Sequence, residues 1–155
     1  MNYWLMKSEP STFGIDDLKR AKNQTTGWDG VRNFQARNFL REMQQGDLAF
    51  FYHSSCEPPG IAGIVKISRE AYPDRTAFDP KDDHYDAESD PKNPRWYAVD
   101  VQLEKKFAEL ITLETLRSHA SGPLKDMILL KRGNRLSITP VTKQQWTFIN
   151  KLAST

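Results

Sequence analysis

Four short runs of the chain set aromatic rings beside small polar or charged groups: Trp4 with Lys7, Ser8 and Glu9; Trp28 with Arg32 and Asn33; Phe51 and Tyr52 with His53 and Ser54; Trp96 with Asp100. Apolar walls carrying a few convergent polar groups are what a small-molecule or base pocket needs. Each run also has a plainer explanation. A single Trp packs a core, Lys7 and Glu9 make a surface ion pair or a strand edge, and Asp100 in mid-strand is a hydrogen-bonded buried carboxylate.

Other chemistries fit poorly. His53 and Cys56 lie three apart, but His84 and His119 have no metal-ligand spacing to them, so no zinc site is expected. The run DDHYDAESD resembles part of a calcium loop, yet Ala87 stands where that loop needs Gly and Asn93 where it needs the bidentate Glu, so a solvated acidic loop is the reading. Neither a P-loop, nor a G-x-S-x-G elbow, nor a strand-led G-x-G-x-x-G occurs. A triad of His53 with Ser54 or Ser55 is disfavoured because adjacent strand residues point to opposite faces. No cofactor is expected.

Composition bounds the rest. A chain of 155 residues can bury a core without staples, and its one Cys cannot form an intramolecular disulfide. With 22 Lys and Arg against 20 Asp and Glu, the net charge of +2 is far from the basic balance of a non-specific nucleic-acid binder. Arg32, Arg37 and Arg41 nevertheless cluster, as do Lys125, Lys131, Arg132 and Arg135, while residues 74–95 hold seven carboxylates against four Lys or Arg. No run approaches the roughly 18 apolar residues of a membrane span, and the N-terminal apolar run is too short for a signal peptide. The expectation is a mature chain starting at Met1 or Asn2, in the cytosol or a nucleoid and off the membrane, with the oligomeric state not set by the sequence and a monomer favoured.

The elements that must position these groups read as follows. YWLMKS, residues 3–8, is an aromatic-led strand ended by Pro10. Ile15, Leu18 and Ala21 share one face of a helix over about 15–22, and Ala36, Phe39, Leu40 and Met43 one face of a helix over about 34–45, capped by Asn33 and stopped by Gly46. LAFFYHS, residues 48–54, and IAGIVKIS, residues 61–68, form an antiparallel pair. Residues 70–95 show no sustained period, which marks a functional or disordered connection. Strand alternation returns over 96–104, with a short strand near 107–110. Thr112 caps a helix to about His119, residues 124–130 are either a short helix or an extended run, and 135–140 is a strand. Thr142 and Gln145 have capping-box spacing, with Val141 and Trp146 at the staple positions of a last helix. Five or six strands without regular crossover helices give an α+β fold around a mixed, barrel-like sheet, in one domain over 1–155.

The blocks YWLMKSEP, WDGVRNFQARNFL, FFYHSS, YPDRTAFDPKD, NPRWYAVDV and LKDMILLKRGNRLSITPV, in this order over nearly the whole chain, resemble the EVE domain family. Phe34, Gly14 and Asn134 depart from its pattern, and Asn134 puts any contact from Arg135 in doubt. The resemblance implies a PUA-like pseudo-barrel with peripheral helices, related to ASCH, PUA and YTH domains. It also implies a binding module rather than an enzyme, one that reads a modified base, chiefly modified cytosine in DNA, with some relatives reading RNA.

Carried onto the matching blocks, the resemblance implies a ligand pocket from Lys7, Ser8, Glu9, Trp28, Arg32, Asn33, Tyr52, His53 and Ser54, with Trp96 and Asp100 nearby and Ser137 at the far side. Trp28 would stack on the base opposite Tyr52 or Trp96. Arg37, Lys131, Arg132 and Arg135 would meet phosphates, with DNA expected over RNA. The alternatives are an enzyme acting on a modified nucleoside through Asp100, Glu9 or His53, a binder of a small anion or nucleotide at Arg32 and Asn33, and a plain interaction module.

Overall fold

The computed structural model describes residues 1–154. Six strands, β1 (Tyr3–Ser8), β2 (Thr25–Trp28), β3 (Leu48–His53), β4 (Gly60–Pro73), β5 (Tyr97–Thr112) and β6 (Ile138–Val141), form one sheet in the order β2-β5-β4-β3-β1-β6. Only β1 and β3 pair in parallel, with Lys7 beside Tyr52 and Ser8 beside His53. The helices are α1 (Pro10–Phe13), α2 (Ile15–Arg20), α3 (Phe34–Glu42), α4 (Leu113–Arg117) and α5 (Lys143–Ala153).

The near-continuous apolar runs of β1 and β3 are explained by burial on both faces. Trp4, Met6, Ala49 and Phe51 face one core with Leu18, Ala36, Leu40 and Trp28, while Leu5, Phe50 and Tyr52 face a second with Leu116, Trp146 and Ile149. Register shifts in the β4–β5 pair bend these two long strands. The sheet thereby curls until α3 touches β4, β5 and the far edge strand β6 together. This is the expected α+β mixed sheet, six-stranded and barrel-like.

Several boundaries move for local reasons. β1 ends before Pro10 as expected, but Pro10 also opens α1, where its missing N–H costs nothing. The short strand β2, over TTGW, has too little alternation around Gly27 to show in the sequence. The helix expected over 34–45 ends at Glu42, because Met43 is already extended. Two expected strands, 96–104 and 107–110, fuse into β5, the strand expected at 135–140 is β6, and the ambiguous 124–130 run holds a 3-10 turn at Ile128–Leu130. Asn33, Thr112 and Thr142 cap their helices as expected, the last in a full capping box with Gln145.

The largest difference lies in residues 74–95, which are folded rather than structureless. Asp74, Asp79, Asp82, Asp86 and Asp90 each accept a hydrogen bond from the backbone N–H two residues on, at 2.8–3.0 Å. Short carboxylates that bond their own turn can organise a segment with no period. Many of the acidic residues are thus turn formers, and among the described residues no group of three or more His, Cys, Asp or Glu could hold a metal ion. No helix among them is long and apolar enough to cross a membrane.

Candidate base-binding cleft

An open cleft of about 590 Å³ lies where the end of β1 meets the end of β2. Lys7, Ser8 and Glu9, with Thr12 and Phe13 of α1, form one wall, residues 26–30 another, and His84 from the acidic segment a third. The local fold explains the meeting. The Ser8 hydroxyl donates to the Phe13 carbonyl at 2.6 Å, which folds α1 back over the end of β1. Ser8's carbonyl accepts from Ser54 N–H at 3.0 Å, and Lys7 N–H donates to the Ser137 carbonyl at 2.8 Å, so both flanking segments hold this strand end still.

Lys7, Glu9 and Asp29 face the cleft with no ion-pair partner among the described residues, and two of them have shifted protonation. Lys7 is half-buried, and loss of hydration lowers its ammonium pKa below the usual lysine value. Asp29 is pushed the other way, first by desolvation and then by the nearby Asp74 carboxylate, so it holds a proton more readily than an ordinary aspartate. A cation short of water and an acid that resists ionising are both poised to gain from a polar ligand.

The His84 wall is held by an ion pair whose carboxylate is buried and whose guanidinium is partly exposed. Arg32 Nη1 donates to Asp74 Oδ2 at 2.9 Å, and the same guanidinium donates to the His84 carbonyl at 2.9 and 2.7 Å and to Thr76 Oγ1 at 3.0 Å. Asp74, whose side chain is fully enclosed, also accepts from Gly30 N–H at 2.8 Å and from Thr76. Burial alone would raise its pKa. The hydrogen bonds from Thr76, Gly30 and Arg32 outweigh that and hold it below the ordinary 3.8. Gly30 is required here: it sits at φ +77°, and a Cβ would stand 2.8 Å from the His84 ring.

Of the residues expected in the pocket, Lys7, Ser8, Glu9 and Trp28 line the cleft. Trp28 is 8% exposed and packs edge-on against Phe51 at 5.5 Å, so it closes the floor and has no open stacking face. Tyr52 cannot sit opposite it, because Tyr52 belongs to the second core on the other side of the sheet. Nor can Trp96, which stacks on the Phe34 ring at 4.9 Å, has the Arg32 guanidinium 5.4 Å from its centre, and puts its indole N–H on Asp86 at 2.6 Å. Arg32 is therefore occupied as a structural clamp, and the Asn33 side chain as the cap of α3.

The remaining candidates are dispersed. Asp100 accepts the Tyr72 hydroxyl at 2.5 Å in an adjoining cleft. Arg37 is committed to the Arg95 carbonyl at 2.7 Å and to the Phe34 ring. Lys131, Arg132 and Arg135 are exposed on the loop that leads through Ser137 into β6, next to β1. Phe13, Asp29 and His84 were not singled out from sequence. Asp29 sits in the same WDG run as Trp28, a nearby signal, whereas His84 lies in the segment read as solvated.

His53 stands behind the cleft wall. Its Nε2 accepts from Ile15 N–H at 3.1 Å, and Ser54 lies beside it without any catalytic pairing. Burial lowers the imidazole pKa below 6.5, Asp16 opposes this and Lys106 adds to it. The folded state therefore prefers the neutral ring, so this contribution to stability is complete above about pH 6.5 and is lost as pH falls through the lowered value. Thermal denaturation between pH 7.5 and 5 should show a loss of melting temperature in the native chain, and H53Q should lack this component. An equal slope in both would exclude His53 as its source.

Relatives share this frame. Thymocyte nuclear protein 1 of Gallus gallus is 50% identical over 165 residues, covering 97% of this chain and 68% of that protein. The crystal structure of human THYN1 protein in complex with 5-methylcytosine-containing DNA superposes with a TM-score of 0.96 at 48% identity, covering 100% of this chain and 99% of that one. A Pseudomonas putida protein superposes at 0.93 with 49% identity, over 97% and 99% of the two chains. The YTH domain of Zygosaccharomyces rouxii MRB1, at 15% identity and a TM-score of 0.53 over 98% and 86%, shares the fold alone. The EVE domain model matches residues 2–152, and the chain belongs to the EVE domain family.

Proposed function

We propose that this protein binds nucleic acid carrying a modified base, with 5-methylcytosine in DNA as its ligand, and seats that base in the cleft between Lys7–Glu9 and 26–30. The observation that supports the reading is the cleft itself, in a chain that superposes at 0.96 on a protein solved with 5-methylcytosine-containing DNA. Its volume lies within the 300–1,000 Å³ range of ordinary ligand sites, ample for one base.

The energetics set how the cleft works. A base leaves the duplex at a cost of a few kcal/mol, or comes from a single strand at less. Contact with rings returns about 1–3 kcal/mol per base, and Phe13 and His84 supply those rings above the floor that Trp28 closes. The Watson–Crick edge then meets the free groups. Asp29 accepts from the exocyclic amine, the cytosine-reading role that carboxylates play, and Lys7 donates to a base oxygen. Lys131, Arg132 and Arg135 meet phosphates from the β6 side. Burying one methyl adds about 0.8 kcal/mol, roughly a fourfold preference for the modified base.

Two-dimensional NMR titration with a short methylated strand tests the location. The largest shifts are expected at the Trp28 indole and the amides of 26–30, Ser8 and His84. Shifts confined to the opposite face, around Trp146 and α5, would overturn the assignment.

A further inference from the structure

A second cleft, of about 260 Å³, adjoins the first and shares Gly27 and Asp29 with it. Its other walls include Arg69, Tyr72, Arg75 and Asp100. The Arg69 guanidinium lies 4.0 Å from the centre of the Tyr72 ring, and the ring is fixed by its hydroxyl bond to Asp100 at 2.5 Å. Desolvation and the Asp100 carboxylate raise the Tyr72 pKa, so the phenol keeps the proton it donates. Gly27 makes room for this pair, since a Cβ there would stand 2.9 Å from the Tyr72 oxygen. Arg69 is exposed, and no carboxylate holds it in an ion pair among the described residues. A planar cation is thus held over an aromatic ring at the wall of the cleft.

We infer that the second cleft receives the nucleotide next to the modified one, with its base stacked on the outer face of the Arg69 guanidinium. This rests on the base-reading proposal and extends it: the protein reads a dinucleotide step rather than an isolated base. An Arg plane is a stacking surface for unpaired bases. Asp100, through the carboxylate oxygen that Tyr72 leaves open, offers an acceptor at the edge, which favours guanine, with its N1–H and N2 amine side by side, above thymine with its single N3–H. Arg75 at the rim suits the intervening phosphate.

The test compares the 5-methyldeoxycytidine monophosphate with a trinucleotide centred on it, and with the same trinucleotide carrying an abasic site on each side in turn. The trinucleotide should bind about five- to 150-fold tighter than the monophosphate, the gain of one stacked base. R69A should remove that gain, one of the two abasic ligands should lose it equally, and the two changes together should cost no more than either. R69K should not restore it, because an ammonium has no plane to stack on. A gain that survives R69A, or abasic ligands that both bind as tightly as the intact one, would overturn the inference. So would rescue by R69K, which would indicate simple phosphate attraction. A preference for the methylated monophosphate without any gain from length defeats this inference alone, whereas no methyl preference in any ligand defeats the base-reading proposal with it.

Discussion

Asp74→Ala is expected to lower stability by about 3–5 kcal/mol, the effect of removing one partner from an enclosed ion pair. The variant strands Arg32, whose side chain is 23% exposed, without its anion, and leaves Gly30 N–H and the Thr76 turn without their acceptor. Because Arg32 also holds the His84 carbonyl, the loss should spread along 74–95 and open one wall of the cleft. Chemical denaturation reads the first effect, and faster amide exchange at Thr76, His84 and Glu88 reads the second. The pH dependence follows from the same group. Its folded pKa is depressed, so its stabilisation is present above 3.8 and lost as pH falls below that value. A loss under 1 kcal/mol, with unchanged exchange, would contradict the clamp.

Lys7→Met is expected to separate binding from folding. Burial disfavours the charged ammonium, so a thioether of similar length should leave the melting temperature unchanged or raise it. The same change removes a charged donor from the cleft, which is worth about 1.5–3 kcal/mol, or about ten- to 150-fold in affinity for a methylated strand. Stability rising while affinity falls is the mark of a residue kept for its ligand. A variant that binds as well as the native chain would remove Lys7 from the site.

Where side chains alternate or repeat, the fold was legible. Ala36, Phe39, Leu40 and Met43 announced α3, and Thr142 with Gln145 announced the start of α5. Legibility failed where the backbone is organised by single side chains at a distance. Asp47 is such a case: almost wholly buried, it accepts from Asn2 N–H, Trp4 Nε1 and Gln44 N–H, a three-way tie between segments some 40 residues apart that no local pattern reveals. The acidic segment is another, since carboxylates that are exposed as expected, Asp79 and Asp90 among them, also act as turn acceptors.

The site was half legible for the same reason. Lys7 and Ser8 stand on β1 and Trp28 on β2, strands whose position follows from pairing, and Glu9 directly follows β1. Arg32 and Trp96 carry the residue types of a pocket, yet the Asp74 clamp and the Phe34 stack spend them on structure. His84 is held at the cleft by Arg32's grip on its carbonyl, a contact across 52 residues.

The most direct measurement of the central claim is a fluorescence titration of the native chain with otherwise identical single strands carrying cytosine, 5-methylcytosine or 5-hydroxymethylcytosine, in DNA and in RNA, at two salt concentrations. The account predicts tighter binding to the methylated DNA strand by about fourfold or more, with a preference that persists as salt rises, because it comes from a buried methyl and not from phosphate charge. Equal affinity for all three bases, lost together as salt increases, would contradict it.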